Sequence, residues 1–103
     1  MITRLWRGWT AAADADDYED FLLNRLFVSM RDIEGFLGAD VLRRDTEDEE
    51  VAFVTLVRFT SLADVRRFAG DDIDVPVIEP RAAELLAHYE TRAEHFDTSE
   101  FRT

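Results

Sequence analysis

Arg4, Trp6, Trp9, Arg58, Tyr89 and His95 are the side chains of this 103-residue chain best suited to handling a small organic molecule. A histidine beside an oxidisable phenol can take its proton. Tryptophan and tyrosine rings can wall an apolar cleft, and an arginine there can anchor a phenolate or carboxylate. The same residues have readings without a ligand: ring packing, pairing of the arginines with some of the 23 acidic residues, and a hydrogen-bonded structural histidine.

Other chemistries find less support. His88 and His95 fall on opposite faces of an unbulged strand, so they offer no shared metal site. The acidic runs "DTEDEE" and "GDDID" lack the glycine-centred pattern of a calcium loop. No glycine-rich phosphate loop occurs among the four glycines. With no cysteine, there is no disulfide, thiolate nucleophile or cysteine–zinc site. The expectation is no metal and no cofactor.

The elements that must position these residues follow from hydropathy. "ITRLWRGW" is β-branched and aromatic, which predicts a strand over 2–9 and sets Trp6 and Trp9 on opposite faces. The face shared by Arg4, Trp6 and Gly8 is the expected cleft side, because Gly8 leaves room there. Tyr18, Phe21, Leu22, Leu26, Met30 and Ile33 then follow helical spacing, with Asp14, Asp16 and Asp17 expected to cap the start and Gly35 to stop the helix. "FLGADVLRR" and "VAFVTLVRF" are two strands of a hairpin. "SLADVRRFAG" is a short helix capped by Ser61 and Asp64, with Leu62, Val65 and Phe68 as its apolar stripe. "DDIDVPVIEP" is an irregular connection, "RAAELLA" a helical turn or two beginning at Pro80, and "HYETRAEHF" the last strand. The order βαββαβ implies a ferredoxin-like α+β fold: a four-stranded antiparallel sheet with its helices on one face. One domain over 1–97 and a tail over 98–103 are expected.

"VAFVTLVRF" is apolar on both faces, whereas an antiparallel sheet solvated on one face should alternate. The helices cover one face only, so a second copy of the chain is the expected cover of the other, as a homodimer.

The net charge of −11 disfavours nucleic acid and anionic membrane surfaces as partners. Every one of the 12 basic residues is arginine. No apolar run approaches a membrane span and the first residues lack a secretory pattern, so a cytoplasmic location is expected.

Across nearly its whole length the sequence resembles the antibiotic biosynthesis monooxygenase family of dimeric α/β barrels. The resemblance rests on "RLWRGWT", "IEGFLGADVLRRD", "FVTLVRFTSLADVRRFAGDDI" and "LLAHYETRAEHFD". It implies a homodimer whose two sheets form a barrel. It also implies a cofactor-independent monooxygenase acting on a small aromatic or quinol-like substrate. The residues' own chemistry then suggests His95 as the catalytic base and Arg4, Trp6, Trp9, Arg58 and Tyr89 around the substrate. The alternative is a non-catalytic module of the same fold that binds a small ligand. The haem-degrading members use an asparagine, a tryptophan and a helical histidine. That trio does not map here, because Asn24 lies mid-helix and both histidines fall in or beside the last strand. The matching positions, Arg4, Trp6, Gly8, Trp9 and Thr10 with His95 and Phe96, point to the uncharacterised branch of the family.

Overall fold

Strand β1 (Ile2–Ala11) is the spine of the sheet, with a neighbour on each side. A computed structural model describes residues 1–103. β3 (Glu50–Phe59) pairs antiparallel with β1 over its whole length, and β2 (Phe36–Asp45) pairs with the outer edge of β3. On the other side of β1 lie β4 (Leu86–Tyr89) and β5 (Glu94–Asp97), end to end. The order is β2-β3-β1-β4, with β5 also on β1, which is the expected ferredoxin-like sheet with its last strand broken in two.

Tyr89 faces Gly8 and Glu94 faces Leu5, so residues 90–93 span only Trp6 and Arg7 and bow away from the sheet. The alternation of "HYETRAEHF" suits one strand. The backbone instead turns aside here, where the Trp6 indole N–H donates to the Glu90 carbonyl (2.8 Å).

The helical layer covers one face. After a 3-10 turn (Ala12–Asp14), α1 (Ala15–Phe21) runs through a π-helical turn (Leu22–Leu26) into α2 (Phe27–Met30) as one rod. The π turn carries one extra residue, so Phe27 joins Tyr18, Phe21, Leu22 and Met30 in the core. Strict helical spacing does not pick Phe27 out. No side-chain cap forms at Asp14, whose own backbone is helical (φ −99°, ψ −4°) rather than extended. Asp16 instead accepts from Arg43 of β2 (2.9 Å), tying the rod to the sheet.

Helix α3 (Leu62–Ala69) begins as its sequence implies: the Ser61 hydroxyl accepts from the Asp64 amide (3.4 Å) and donates to the Asp64 carboxylate (3.0 Å). Val65 is fully buried, whereas Leu62 lies exposed. Gly35 has φ +85°, and the Asp64 side chain packs where a β-carbon would stand, so no other residue fits that turn unstrained. The segment 71–79 crosses the helical face without regular structure, and α4 (Pro80–Leu85) leads into β4. No helix is long and apolar enough to cross a membrane.

Candidate functional site

The register of β1 against β3 sets two pairs side by side on the helical face: Arg4 opposite Val57, and Trp6 opposite Thr55. These four residues floor a cavity of about 40 Å³. Tyr18, Leu22, Leu26, Phe27 and Met30 of the helical rod roof it, and Phe68, Pro76 and Val77 close one side. Leu22 and Leu26 bound the π turn, a local irregularity that often accompanies functional sites. Arg4 and Trp6, on the face of β1 expected to carry a cleft, both border this cavity. The Trp6 ring leans over Gly8, where a β-carbon would come 3.6 Å from the indole and 2.8 Å from Leu86.

Arg4 is almost wholly buried yet has no carboxylate within ion-pair distance. An arginine on a half-buried sheet face was expected to need one. Arg4 instead donates from Nη1 to the Ile73 carbonyl and to His95 Nε2 (2.9 Å), and from Nη2 to the Val75 carbonyl (3.0 Å). Backbone oxygens thus take the place of an acid. Burial lowers the guanidinium pKa to about 10, against the opposing pull of Asp74, so Arg4 stays charged at neutral pH.

A guanidinium has no acceptor, so His95 Nε2 must present its lone pair to Arg4. The ring proton then sits on Nδ1 and points to Asp74 Oδ1 (3.2 Å). Burial, and then the Arg4 charge, hold the imidazole pKa below its ordinary 6.5, with Asp74 pulling the other way. Asp74 is also hydrogen-bonded by Arg92 (2.8 Å), which keeps its carboxyl below the usual range. Arg4, His95 and Asp74 form a chain that pins 71–79 to the sheet, reinforced by the Ala93 amide donating to the Asp74 carbonyl (2.8 Å). The same strap supplies Pro76 and Val77 to the cavity wall.

The six residues singled out from sequence divide between two faces. Arg4 and Trp6 line the cavity. Tyr89 shares their face and packs on Trp6 at 5.6 Å between ring centroids. His95 stands behind Arg4, one hydrogen bond from the cavity. Trp9 and Arg58 lie on the opposite face: Trp9 stacks on His88 (4.6 Å, 11°), which meets Glu50 (2.9 Å), and Arg58 pairs with Asp40 (2.6 Å). Trp9 and Arg58 are thus separated from the cavity by the sheet.

Thr55, the cavity's one aliphatic hydroxyl, was not singled out from sequence as a ligand contact, because it reads as a β-branched strand residue. The available signal was Thr55 itself, a lone hydroxyl between Phe53 and Val57 on a face otherwise apolar.

The solved structures match along the whole fold. A monooxygenase from the gene ActVA-Orf6 of Streptomyces coelicolor, in complex with nanaomycin D, superposes with a TM-score of 0.60 at 15% identity, over 99% of this chain and 90% of that one. A candidate antibiotic biosynthesis monooxygenase from Bacillus cereus gives 0.53 at 12% identity, over 99% and 92%. The chain has the fold of the antibiotic biosynthesis monooxygenases. No family model and no curated protein sequence matches it. In this fold the space between the helical rod and the sheet is where Arg4, Trp6, Tyr18 and Thr55 converge.

Proposed function

We propose that the chain is a monooxygenase of the antibiotic biosynthesis type, acting without a cofactor on a small aromatic or quinol-like substrate and working as a homodimer. The observation that carries this reading is the cavity itself: apolar, walled by Trp6, and bordered by a buried cation, Arg4. The likeness to a monooxygenase holding nanaomycin D supports it.

The reaction balances without an external reductant. A phenol loses its hydroxyl proton and a ring C–H hydrogen, dioxygen delivers one atom to that carbon, and the second oxygen leaves as water. The product is a quinone, and the substrate supplies all four electrons. In this reading the apolar walls exclude water, Trp6 faces the ring, and Arg4 favours the phenolate. His95, oriented by Asp74, is the proton acceptor. Its free lone pair faces Arg4, so Arg4 must turn toward the substrate before His95 can take a proton.

A second reading, a ligand-binding module, is favoured by one observation: no imidazole or carboxylate lines the cavity. Oxygen uptake with single-ring hydroquinones, measured against the uncatalysed rate under ¹⁸O₂, separates the two. One labelled oxygen per quinone supports the monooxygenase. Saturable binding with no uptake above background supports the module.

The homodimer is supported by the uncovered sheet face. Leu5, Leu42, Val54, Leu56 and Phe96 share it, with Leu42 46% and Phe96 48% exposed. A second sheet laid against this face would bury them.

A further inference from the structure

The polar groups of the cavity are unevenly used. Arg4 directs three N–H groups at the Ile73 and Val75 carbonyls and at His95, and Trp6 directs its one donor at Glu90. Tyr18 and Thr55 differ: each is deeply buried, at 1% and 8% exposed, yet neither hydroxyl has a hydrogen-bond partner in the chain. No buried side-chain nitrogen or oxygen of this protein is both sealed and unpaired. Each of these hydroxyls must therefore open on free space, and the space both residues border is the cavity. Burial holds the Tyr18 phenol above its ordinary pKa, so it stays a protonated donor. Thr55 lies directly across the ladder from Trp6, next to the ring that would face a ligand.

We propose that Tyr18 and Thr55 are the polar anchor of the cavity and select a single-ring aromatic bearing an oxygen. The proposal rests on the cavity being a ligand site. Leu22, Leu26, Phe27 and Val57 offer the ring only apolar contact, which gives no orientation. Two neutral hydroxyls can donate to and accept from one phenolic group, or donate to one carbonyl. A hydrocarbon of the same shape leaves both unmatched, which is how a hydrogen-bonding pocket discriminates most strongly. The cavity of about 40 Å³ is smaller than an aromatic ring needs, so even a single ring enters only as the Pro76–Val77 wall or the roof side chains give way, and larger ligands are disfavoured further.

The test compares 4-fluorophenol with fluorobenzene by ¹⁹F NMR titration of the full chain. The wild type should bind 4-fluorophenol about tenfold more tightly. The shape-conserving double variant Tyr18→Phe, Thr55→Val should bring the ratio near one while fluorobenzene still binds. Thr55→Ser, which keeps the hydroxyl, should retain most of the preference. If the double variant loses its near-ultraviolet circular dichroism, the single variants replace it, and each should lower the ratio. Equal binding of both probes by the wild type would overturn the anchor and leave the cavity a ligand site. A preference that survives both substitutions would move the anchor to Arg4 and equally overturn the proposal. Binding of neither probe would sink the ligand-site reading itself, and the anchor with it.

Discussion

Arg4 Nη1 and His95 Nε2 stand 2.9 Å apart, and the two residues also face each other across the β1–β5 ladder. The side-chain bond holds His95 neutral, because a proton on Nε2 would set two cations against each other. Around His95 the charged groups are Arg4 on β1, Asp74 and Asp72 on the strap, and Arg92 and Glu94 on its own edge. Only Asp74 meets the ring directly among the acids.

The first prediction concerns pH. Unfolded His95 protonates near the ordinary 6.5, and folded His95 only at lower pH. Below 6.5 the unfolded chain therefore binds more protons, and stability falls with acidification until the folded pKa is passed. Denaturant midpoints from pH 7.5 to 5.5 should decline in the wild type and decline less in His95→Asn. Parallel curves for the two proteins would contradict the assigned tautomer.

The second concerns the tryptophans. In Trp9→Phe the remaining Trp6 should respond to added 4-fluorophenol, whereas in Trp6→Phe the remaining Trp9 should not. Trp6→Phe should also cost about 1 kcal/mol through the lost Glu90 bond. The same ligand response from both single-tryptophan proteins would be inconsistent with a sheet between the rings.

The third concerns assembly. Leu56 lies at the middle of the uncovered face, opposite Leu5 on one side and Asp40 on the other. Leu56→Asp should convert a dimer to a monomer in light scattering at micromolar concentration, with the far-ultraviolet spectrum retained. A wild-type chain that is already monomeric would remove the dimer from the proposed function.

The fourth concerns Gly35. Gly35→Ala forces a β-carbon into Asp64 at a positive φ and should destabilise the protein by more than about 1 kcal/mol in urea denaturation. Gly70, also at positive φ but with open space around it, should tolerate alanine better.

The architecture was legible because it rests on periodicity. Alternation in "VAFVTLVRF" and helical spacing from Tyr18 onward survive any detail of packing, and they yield the sheet, the covered face and the opposition of Trp6 to Trp9. The π turn was not legible, because one extra residue in a Leu-rich stretch leaves the composition unchanged. Nor was the partnership of Arg4 with Ile73, Val75 and His95. Backbone carbonyls carry no sequence signature, and Asp74 looks like any other member of "GDDID". Thr55 and Tyr18 were visible as residue types, but only the fold shows that they border the same space.

The bow at residues 90–93 separates loop length from strand phase. Four residues there span two of β1, and the paired residues on either side keep their faces because β1 dictates them. A single residue added within the bow can be absorbed unpaired, as Ala87 already is where the register shifts between Trp9 and Thr10. A slip of β5 by one residue along β1 is different. It would send Phe96 toward the strap and His95 out to the open sheet. One pairing register therefore holds the strap anchor and the uncovered apolar face together, and a slip would dismantle both although no residue of either had been substituted.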